Sequence, residues 1–525
     1  MKKFTFHISK YLPFVLGAAL LVSCEQDPIE GPEPAAALPA LKAGSLNVSN
    51  YVSLGNSLTA GYTDNALFKA SQQLSMPNML AQKFSMIGGG SFSQPMMNDN
   101  NGGLLLAGTQ IAAPRLFFNG AGPASLLSAN PAALPTTDIV LNNPTGPFNN
   151  MGVPGAKSYH LLAPGYGNVA NVALGLANPY FVRMASEPNA SVLADAMAQS
   201  PTFFSLWIGN NDALGYATTG GDGSNPLTPV NGAPGVGFDG TYGALVATLT
   251  AGGAKGIIAN VPYVTSIPHF TTVPHNPVPL DAATAAAINA AYAPYNGGLQ
   301  AAYQALQGTG LLTAEEVAKR QVSFSAGAGN AVVIIDESLT DLGAINPAFA
   351  GLPKYRQATA ADLLVLPSSA IIGEVNMDNV AALMSVGASA AQAGQASVNG
   401  VSFPLADKWV LTPQEQAEIK TAIDAYNGII KATAEAAGLA FFDANQFMQA
   451  LATTGITDGK YKLTASLVTG GAFSLDGVHP TPRGYALISN LMMKTLDAKY
   501  GSNFEASGNL LDIGDYPTNF SPLMQ

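Results

Sequence analysis

Cysteine is almost absent from this chain: Cys24 is the single copy, so no disulfide can form within the molecule. Charge is also scarce, at 10% of the 525 residues, against about 25% in an average globular protein. The balance is acidic, with a formal net charge of -11. Because nucleic-acid binding depends on a basic surface that neutralises phosphates, we expect no nucleic-acid partner.

Long apolar runs are lacking after the N-terminus, where no stretch reaches the ~18 residues that a membrane span requires. The N-terminus itself carries Lys2 and Lys3, followed by a short apolar run over residues 11–22. A basic start before a short apolar run is typical of a secretory signal peptide. We therefore assign residues 1–23 to a signal peptide.

Cys24 follows that apolar run directly, after Leu21, Val22 and Ser23. These four residues resemble the lipobox of bacterial lipoproteins, in which the cysteine is acylated and becomes the first residue of the mature protein. The resemblance implies a lipid anchor at Cys24 in the bacterial cell envelope, where we expect the outer membrane. The alternative is an ordinary secretory signal with an incidental cysteine.

The next segment, residues 24–47, is rich in proline, alanine and acids and has neither a helix nor a strand period. Such a composition indicates a flexible tether between an anchor and a domain. We expect one folded domain over residues 48–500 and a C-terminal tail over residues 501–525.

Within the expected domain, short apolar runs predict strands that are buried on both faces of a parallel sheet. These runs cover residues 51–54, 203–208, 256–261 and 439–443. Helical patterns cover residues 73–84, 281–306, 413–437 and 482–498. Because strands and helices alternate along the chain, the sequence predicts an α/β fold.

Three stretches of the domain fit neither pattern and are rich in glycine, proline and asparagine. They cover residues 86–148, 213–240 and 308–410. We interpret them as insertions at the loop edges of the sheet, where they would roof a site. Long ordered insertions of this kind are usually lids or binding loops.

The first candidate for chemistry is Ser57, in the motif Gly-Asn-Ser-Leu directly after the strand predicted over residues 51–54. The C-terminal end of a parallel strand lies at the edge where α/β proteins bind their ligands. A helix that begins there also points backbone N–H groups at a developing negative charge. Taken alone, however, the motif is more often a common helix cap than a nucleophile.

The second candidate is the pair Asp476 and His479, in the motif Asp-Gly-Val-His-Pro before the last predicted helix. A carboxylate three residues before a histidine could hold one ring nitrogen while the other nitrogen faces a serine hydroxyl. Two further turns, 150–155 and 209–212, carry glycine and asparagine where strands should end. Such groups could donate hydrogen bonds to the oxyanion of an acyl transfer.

The order of these motifs resembles the four sequence blocks of the SGNH (GDSL-like) hydrolases. Gly-Asn-Ser-Leu, Val-Pro-Gly, Gly-Asn-Asn-Asp and Asp-Gly-Val-His-Pro occur in that order, and the resemblance covers roughly residues 49–500. It implies Ser57 as the nucleophile, His479 as the base and Asp476 as the group that orients the base. It also implies an oxyanion hole of Ser57, Gly155 and Asn211, with Gly152 as the alternative to Gly155.

The resemblance further implies a three-layer α/β/α, flavodoxin-like fold with about five parallel strands, and a reaction that needs no metal or organic cofactor. One position departs from the family pattern, since Asn56 stands where the family has aspartate. That aspartate is not part of the triad, so we expect Asn56 to change local hydrogen bonding only. The rival α/β-hydrolase pattern Gly-x-Ser-x-Gly is absent from the chain.

The substrate is left open between three alternatives. Methionines at 76, 79, 86, 96 and 97 and the leucines 104–106 make the region of the first insertion apolar, which favours a lipid ester but is equally typical of a core. A carbohydrate O-acetylesterase of the same fold and an inactive surface-binding lipoprotein are the other two. The remaining histidines of the domain, His160, His269 and His275, lack metal-ligand spacing, and we interpret them as structural, although His160 could line the pocket.

Overall fold

The computed structural model describes residues 37–524. The predicted signal peptide and the predicted lipidation site Cys24 lie outside the described residues, so both stay predictions. Among residues 37–524, no helix is both long enough and apolar enough to cross a membrane.

Five parallel strands form the central sheet. They are β1 (Tyr51–Gly55), β2 (Asn150–Gly152), β3 (Phe203–Trp207), β4 (Lys255–Ala259) and β5 (Ala440–Phe442). Their order across the sheet is β5-β4-β3-β1-β2, and every neighbouring pair is parallel. The strand order reverses at β1, and such a switch point opens a crevice at the carboxyl edge of the sheet.

Helices flank this sheet. The main ones are α1 (Ser57–Ala60), α2 (Met76–Ser85), α3 (Val192–Met197), α4 (Asn210–Thr218), α5 (Phe238–Thr250), α6 (Ala282–Ala305), α7 (Pro413–Ala436), α8 (Ala444–Thr453) and α9 (Pro482–Tyr500). Ring contacts from Tyr51 to Phe84 and from Phe203 to Tyr500 seat α2 and α9 on one face of the sheet. Helix α3 packs against β1 and α7 against β4, and α5 packs against both of these helices.

The predicted α/β fold with a central parallel sheet is confirmed. Every residue of β1 and β3 is buried, which is why these strands appear in the sequence as unbroken apolar runs. All four predicted strands and all four predicted helices are present, with ends that differ by three residues at most. The sequence did not predict β2, α3, α4, α5 or α8, of which α4 and α5 overlap the stretch interpreted as the insertion 213–240.

The folded unit extends beyond the predicted range of residues 48–500 at both ends. At the N-terminal side, Leu46 is buried in the main core and the Ser45 N–H donates to Tyr500 O over 2.8 Å, so the end of the expected tether is folded. At the C-terminal side, Phe504 and Ile513 are buried in the same core, so residues 501–524 are not a loose tail.

The third expected insertion, 308–410, is not a simple loop. Its strands pair as Val333–Ile335 with Tyr355–Gln357 and as Leu363–Leu364 with Val410–Leu411. Together with α6 they enclose a second apolar core that includes Tyr292, Val333 and Leu405. The insertion therefore carries a hydrophobic core of its own.

Candidate active site

The loop after β1 places Ser57 as the first residue of α1. Asn56 is the N-cap of this helix, because its Oδ1 accepts from the Leu58 N–H over 3.0 Å. Its Nδ2 donates to Asn210 Oδ1, at the start of α4, over 3.2 Å. The N–H of Ser57 has no partner within the helix, since the first N–H groups of a helix lack acceptors. Ser57 therefore offers both a hydroxyl and a free backbone donor at the sheet edge.

His479 lies between Ser57 and Asp476. Its Nε2 is 2.9 Å from Ser57 Oγ, across 422 positions of the chain, and its Nδ1 is 2.9 Å from Asp476 Oδ2. Thr481 caps α9 with Pro482 at its first position, which fixes the backbone just after His479. The three side chains predicted from the sequence are thus brought together in the order serine, histidine, aspartate.

Asp476 is held as a carboxylate. Its side chain is only 7% exposed, and burial alone would raise its pKa. The His479 ring and the backbone N–H groups of Val478 and His479 outweigh burial and hold the pKa of Asp476 well below its usual range. Both N–H groups donate to Asp476 Oδ1 over 2.8 Å. An ionised Asp476 favours the tautomer of His479 that carries its proton on Nδ1 and leaves the Nε2 lone pair for Ser57.

Two further predicted donors, Gly155 and Asn211, lie near this group. Gly155 follows β2 in a left-handed conformation with φ +82°, and its N–H finds no acceptor within residues 37–524. Gly152, the alternative, already donates its N–H to Asn150 Oδ1 over 3.0 Å. The side chain of Asn211 donates to Ala156 O over 2.9 Å, which joins α4 to the Gly155 turn. The geometry therefore favours Gly155 over Gly152.

Two cavities of different character meet at His479 and Asn211. One has a volume of about 60 Å³, reaches Ser57 and is bounded by apolar side chains, which include Trp207, Leu214, Phe447, Met448, Phe473 and Ile488. The other has a volume of about 600 Å³ and is bounded by apolar residues, such as Leu116 and Leu366, and by the polar residues Asn65, Lys157, Asn225 and His269. We call the first the apolar pocket and the second the polar groove.

All three expected insertions contribute residues to the polar groove. Leu116 and Pro123 come from the first, Asn225 from the second, and residues 366, 367 and 369 from the third. The insertions thus border the groove through these residues, and the expectation that they roof the site stays a prediction. The methionines and leucines that favoured a lipid substrate line neither cavity, and Met76 and Met79 belong to the main core.

Lys157 is a charged residue of the groove that the sequence analysis did not single out. It is 8% exposed, and its Nζ donates to Pro226 O over 2.9 Å. Within residues 37–524, no carboxylate oxygen lies within 4.0 Å of Lys157 Nζ. Burial lowers the pKa of Lys157, and the more distant charge of Asp212 raises it. A nearly buried ammonium with one neutral acceptor can bind further oxygen atoms in the groove.

The other histidines have separate places. His160 accepts the Lys157 N–H at Nδ1 and stacks on Tyr166 with a ring separation of 4.4 Å. Burial and the nearby Lys157 lower the pKa of His160 to about 4, so it is a neutral structural residue outside both cavities. His269 borders the polar groove, and its backbone N–H donates to Gly477 O over 2.9 Å. The structural interpretation of His160 agrees with its place, but His160 does not line the pocket; the place of His269 at the groove has no signal in the sequence.

A group that could hold a metal lies elsewhere. Carboxylate oxygens of Glu337, Asp407 and Glu415 lie within 4.8 Å of one another. Burial and the neighbouring carboxylates raise the pKa values of Asp407 and Glu415 above their usual range. None of these three residues borders the apolar pocket or the polar groove.

We compared the chain with protein-family models, with curated proteins and with solved structures, and none of them matches it.

Proposed function

We propose that this protein is a carboxylic ester hydrolase that works through an acyl-enzyme on Ser57. The observation that carries the proposal is the contact series Ser57 Oγ, His479 Nε2, His479 Nδ1 and Asp476 Oδ2, with both hydrogen bonds at 2.9 Å. We further propose that the chain belongs to the SGNH hydrolases. The motif order and the strand order both support that assignment.

In the first half-reaction Ser57 Oγ attacks the ester carbonyl while its proton passes to His479 Nε2. The carbonyl oxygen becomes an oxyanion, and the N–H groups of Ser57 and Gly155 and the Asn211 amide are its proposed donors. Such donors contribute about 10²–10³-fold each in rate. His479 then gives its proton to the leaving alcohol, and the C–O bond to that alcohol breaks.

In the second half-reaction water attacks the acyl-enzyme. His479 takes one proton from the water as the new C–O bond forms and returns it to Ser57 Oγ as the acid leaves. Asp476 stabilises the positively charged imidazole in both halves and does not itself take the proton. None of these steps draws on a group beyond the chain and water.

The apolar pocket supports a short acyl group. A cavity needs about 10–15 Å³ to hold one water molecule, so the pocket of about 60 Å³ beside Ser57 has room for a few carbon atoms. A long chain would need the surrounding aromatic and aliphatic side chains to move. This size favours acetyl and similar groups over long acyl chains.

A second candidate function, a carbohydrate O-acetylesterase, is favoured by the contrast between the two cavities. The polar groove is about ten times larger than the apolar pocket and carries asparagine, histidine and lysine donors. A sugar presents many hydroxyl oxygens to such donors, whereas a lipid alcohol does not. We therefore propose that the groove binds the alcohol portion of the ester and that this portion is polar.

Hydrolysis of p-nitrophenyl acetate, butanoate and octanoate, and of an acetylated polysaccharide, tests both proposals. We expect activity on the acetyl esters that is lost in Ser57→Ala and kept in the matched control Ser91→Ala, an exposed serine. Equal rates in wild type and Ser57→Ala would instead favour the inactive surface-binding lipoprotein. A preference for octanoate would contradict the short acyl group.

We also propose that the protein is tethered in the bacterial cell envelope through a lipid on Cys24, with the outer membrane as its place. The support is the sequence motif Leu-Val-Ser-Cys at the end of the apolar run. Mass spectrometry of the N-terminal peptide from the membrane fraction tests this, because acylation adds the mass of the lipid to Cys24.

A further inference from the structure

A tight turn between α1 and α2 lies against the loop that carries Asp476. Thr63 and Ala66 exchange both backbone hydrogen bonds, over 3.1 and 3.0 Å. The two central residues, Asp64 and Asn65, have φ values of +51° and +62°. Positive φ at both central positions is the geometry of a type I′ turn. Aspartate and asparagine tolerate this conformation better than other residues with a side chain.

The central N–H groups of the turn both point at the Asp476 loop. The Asn65 N–H donates to Asp476 Oδ2 over 2.8 Å, and this is the oxygen that also faces His479 Nδ1. The Asp64 N–H donates to Ser474 Oγ over 3.0 Å, and Ser474 Oγ donates in turn to Asp476 Oδ1 over 3.1 Å. Successive backbone N–H groups of this kind form a small binding site for an anion.

The side chain of Asp64 completes the contact from the other direction. Its Oδ1 accepts from the Leu475 N–H over 3.1 Å, and the residue is 1% exposed. The turn thus donates to the loop and accepts from it across about 410 positions of the chain. These bonds fix the carboxylate of Asp476 relative to α1, which carries Ser57.

The charge of Asp64 fits this arrangement. Burial, the largest effect, and repulsion from Asp476 raise the pKa of Asp64, whereas the Leu475 N–H and Arg115 lower it. The net result is a pKa of about 7. A carboxyl group that keeps its proton up to about neutral pH does not compete with Asp476 for the positive charge of His479.

We propose that the turn Thr63–Ala66 is a positioning device for the Asp476 carboxylate, with Asp64 and Asn65 as its positioning residues. The Asn65 N–H sets where Asp476 Oδ2 lies, and Asp64 locks the turn to the loop through Leu475 and Ser474. This inference rests on the proposed function, because positioning matters only if His479 acts as a base.

The first test substitutes Asn65, an exposed residue of the turn, so that the backbone conformation changes without disturbing the core. Asn65→Val disfavours the left-handed conformation, whereas Asn65→Gly permits it and keeps the N–H group. Asn142→Val is the matched control, since Asn142 is also exposed and left-handed, at φ +57°, and has no backbone hydrogen bond to residues 474–479. We expect kcat to fall about 10–100-fold in Asn65→Val with little change in KM. Asn65→Gly, which also removes a side chain from the polar groove, should keep kcat close to wild type while its KM can change. Asn142→Val should leave both kcat and KM close to wild type.

The second test separates hydrogen bonding from charge at Asp64. Asp64→Ala removes the acceptor of the Leu475 N–H and should lower kcat, whereas Asp64→Asn keeps an acceptor oxygen and should restore it. If Asp64→Ala does not fold, the Asn65 pair still carries the test. Equal kcat values in Asn65→Val and Asn65→Gly would overturn the proposal, as would an equal loss in Asn142→Val.

A spectroscopic measurement keeps the inference separate from the proposed activity. The proton between His479 Nδ1 and Asp476 should give a strongly downfield NMR resonance in wild type. We expect this resonance to broaden or disappear in Asn65→Val and to persist in Asn142→Val, even if no ester is hydrolysed. Persistence in Asn65→Val would overturn the positioning role. Absence of hydrolysis with the expected NMR pattern would contradict only the proposed function.

Discussion

Asn56 donates a side-chain N–H to Asn210 Oδ1 over 3.2 Å, which ties the loop after β1 to the loop after β3. Both residues are buried, and Asn56 also caps α1 through the Leu58 N–H. The position that departs from the SGNH pattern the sequence resembles therefore shapes the loop of Ser57 through hydrogen bonds that do not involve His479 or Asp476.

Substitutions at Asn56 should separate these two bonds. Asn56→Asp keeps an acceptor for the Leu58 N–H, and the Asn210 amide can turn to donate to the new carboxylate, so we expect activity close to wild type. Asn56→Ala loses the cap, which should lower the free energy of unfolding by about 1 kcal/mol. Urea denaturation and initial rates measure the two effects. An inactive Asn56→Asp variant with unchanged stability would contradict this account of the position.

Replacement of Asp476 by asparagine tests the orientation of His479. The amide retains the shape but can stabilise the wrong imidazole tautomer and carries no charge to stabilise the protonated ring. By analogy with serine proteases, we expect kcat to fall by about 10⁴-fold. Asp281→Asn, at the exposed N-cap of α6, is the matched control and should leave kcat unchanged. A loss of less than tenfold in Asp476→Asn would argue against an oriented base.

Asn211 is proposed to donate to the oxyanion. Asn211→Asp is close to isosteric but cannot donate from its ionised side chain, so both Asn211→Asp and Asn211→Ala should lower kcat by about 10²–10³-fold. KM should change little, because the oxyanion forms only in the transition state. If the loss appeared mainly in KM, Asn211 would be a ground-state binding residue instead.

Asp64 predicts a dependence of stability on pH. Its pKa rises from 3.8 to about 7 in the folded protein, chiefly because of burial. The folded state therefore holds this proton more tightly, and the stability that Asp64 contributes is greatest at low pH and is lost as the pH rises from about 4 to about 7. Relative to wild type, Asp64→Asn should gain free energy of unfolding over that interval. A constant difference between the two proteins across the interval would contradict the raised pKa.

The apolar pocket predicts that acyl-chain preference can be changed. Phe447 borders the pocket and is only partly buried, so Phe447→Ala should enlarge the pocket at small cost in stability. We expect the ratio of kcat/KM for butanoate to that for acetate to rise. Phe441→Ala, on β5 and outside the pocket, is the matched control. The same rise in both variants would mean that the pocket does not set the preference.

The sequence predicted the parts of the fold whose burial leaves a strong pattern. Strands β1 and β3 are covered on both faces and appear as apolar runs, and α7 carries Thr412 and Glu415 as a capping box. Strand β2 has only three residues, two of which are Asn150 and Gly152, so its composition is typical of a turn.

The meeting of Ser57, His479 and Asp476 could be predicted because their motifs occur in an order that resembles a known family. The hydrogen bond from Asn65 to Asp476 could not be predicted, because its donor is a backbone N–H, which every residue except proline has. The burial of Lys157 and the place of His269 depend on how the insertions pack, which no local pattern of the chain encodes.

The most direct measurement of the central claim is the site of reaction with a fluorophosphonate, which traps an activated serine as a covalent adduct. We predict one adduct per chain, located on Ser57 by peptide mass spectrometry, and a strongly reduced rate of labelling in His479→Ala. Labelling at another serine, or none in a wild-type protein that is folded, would contradict the assignment of Ser57 as the nucleophile.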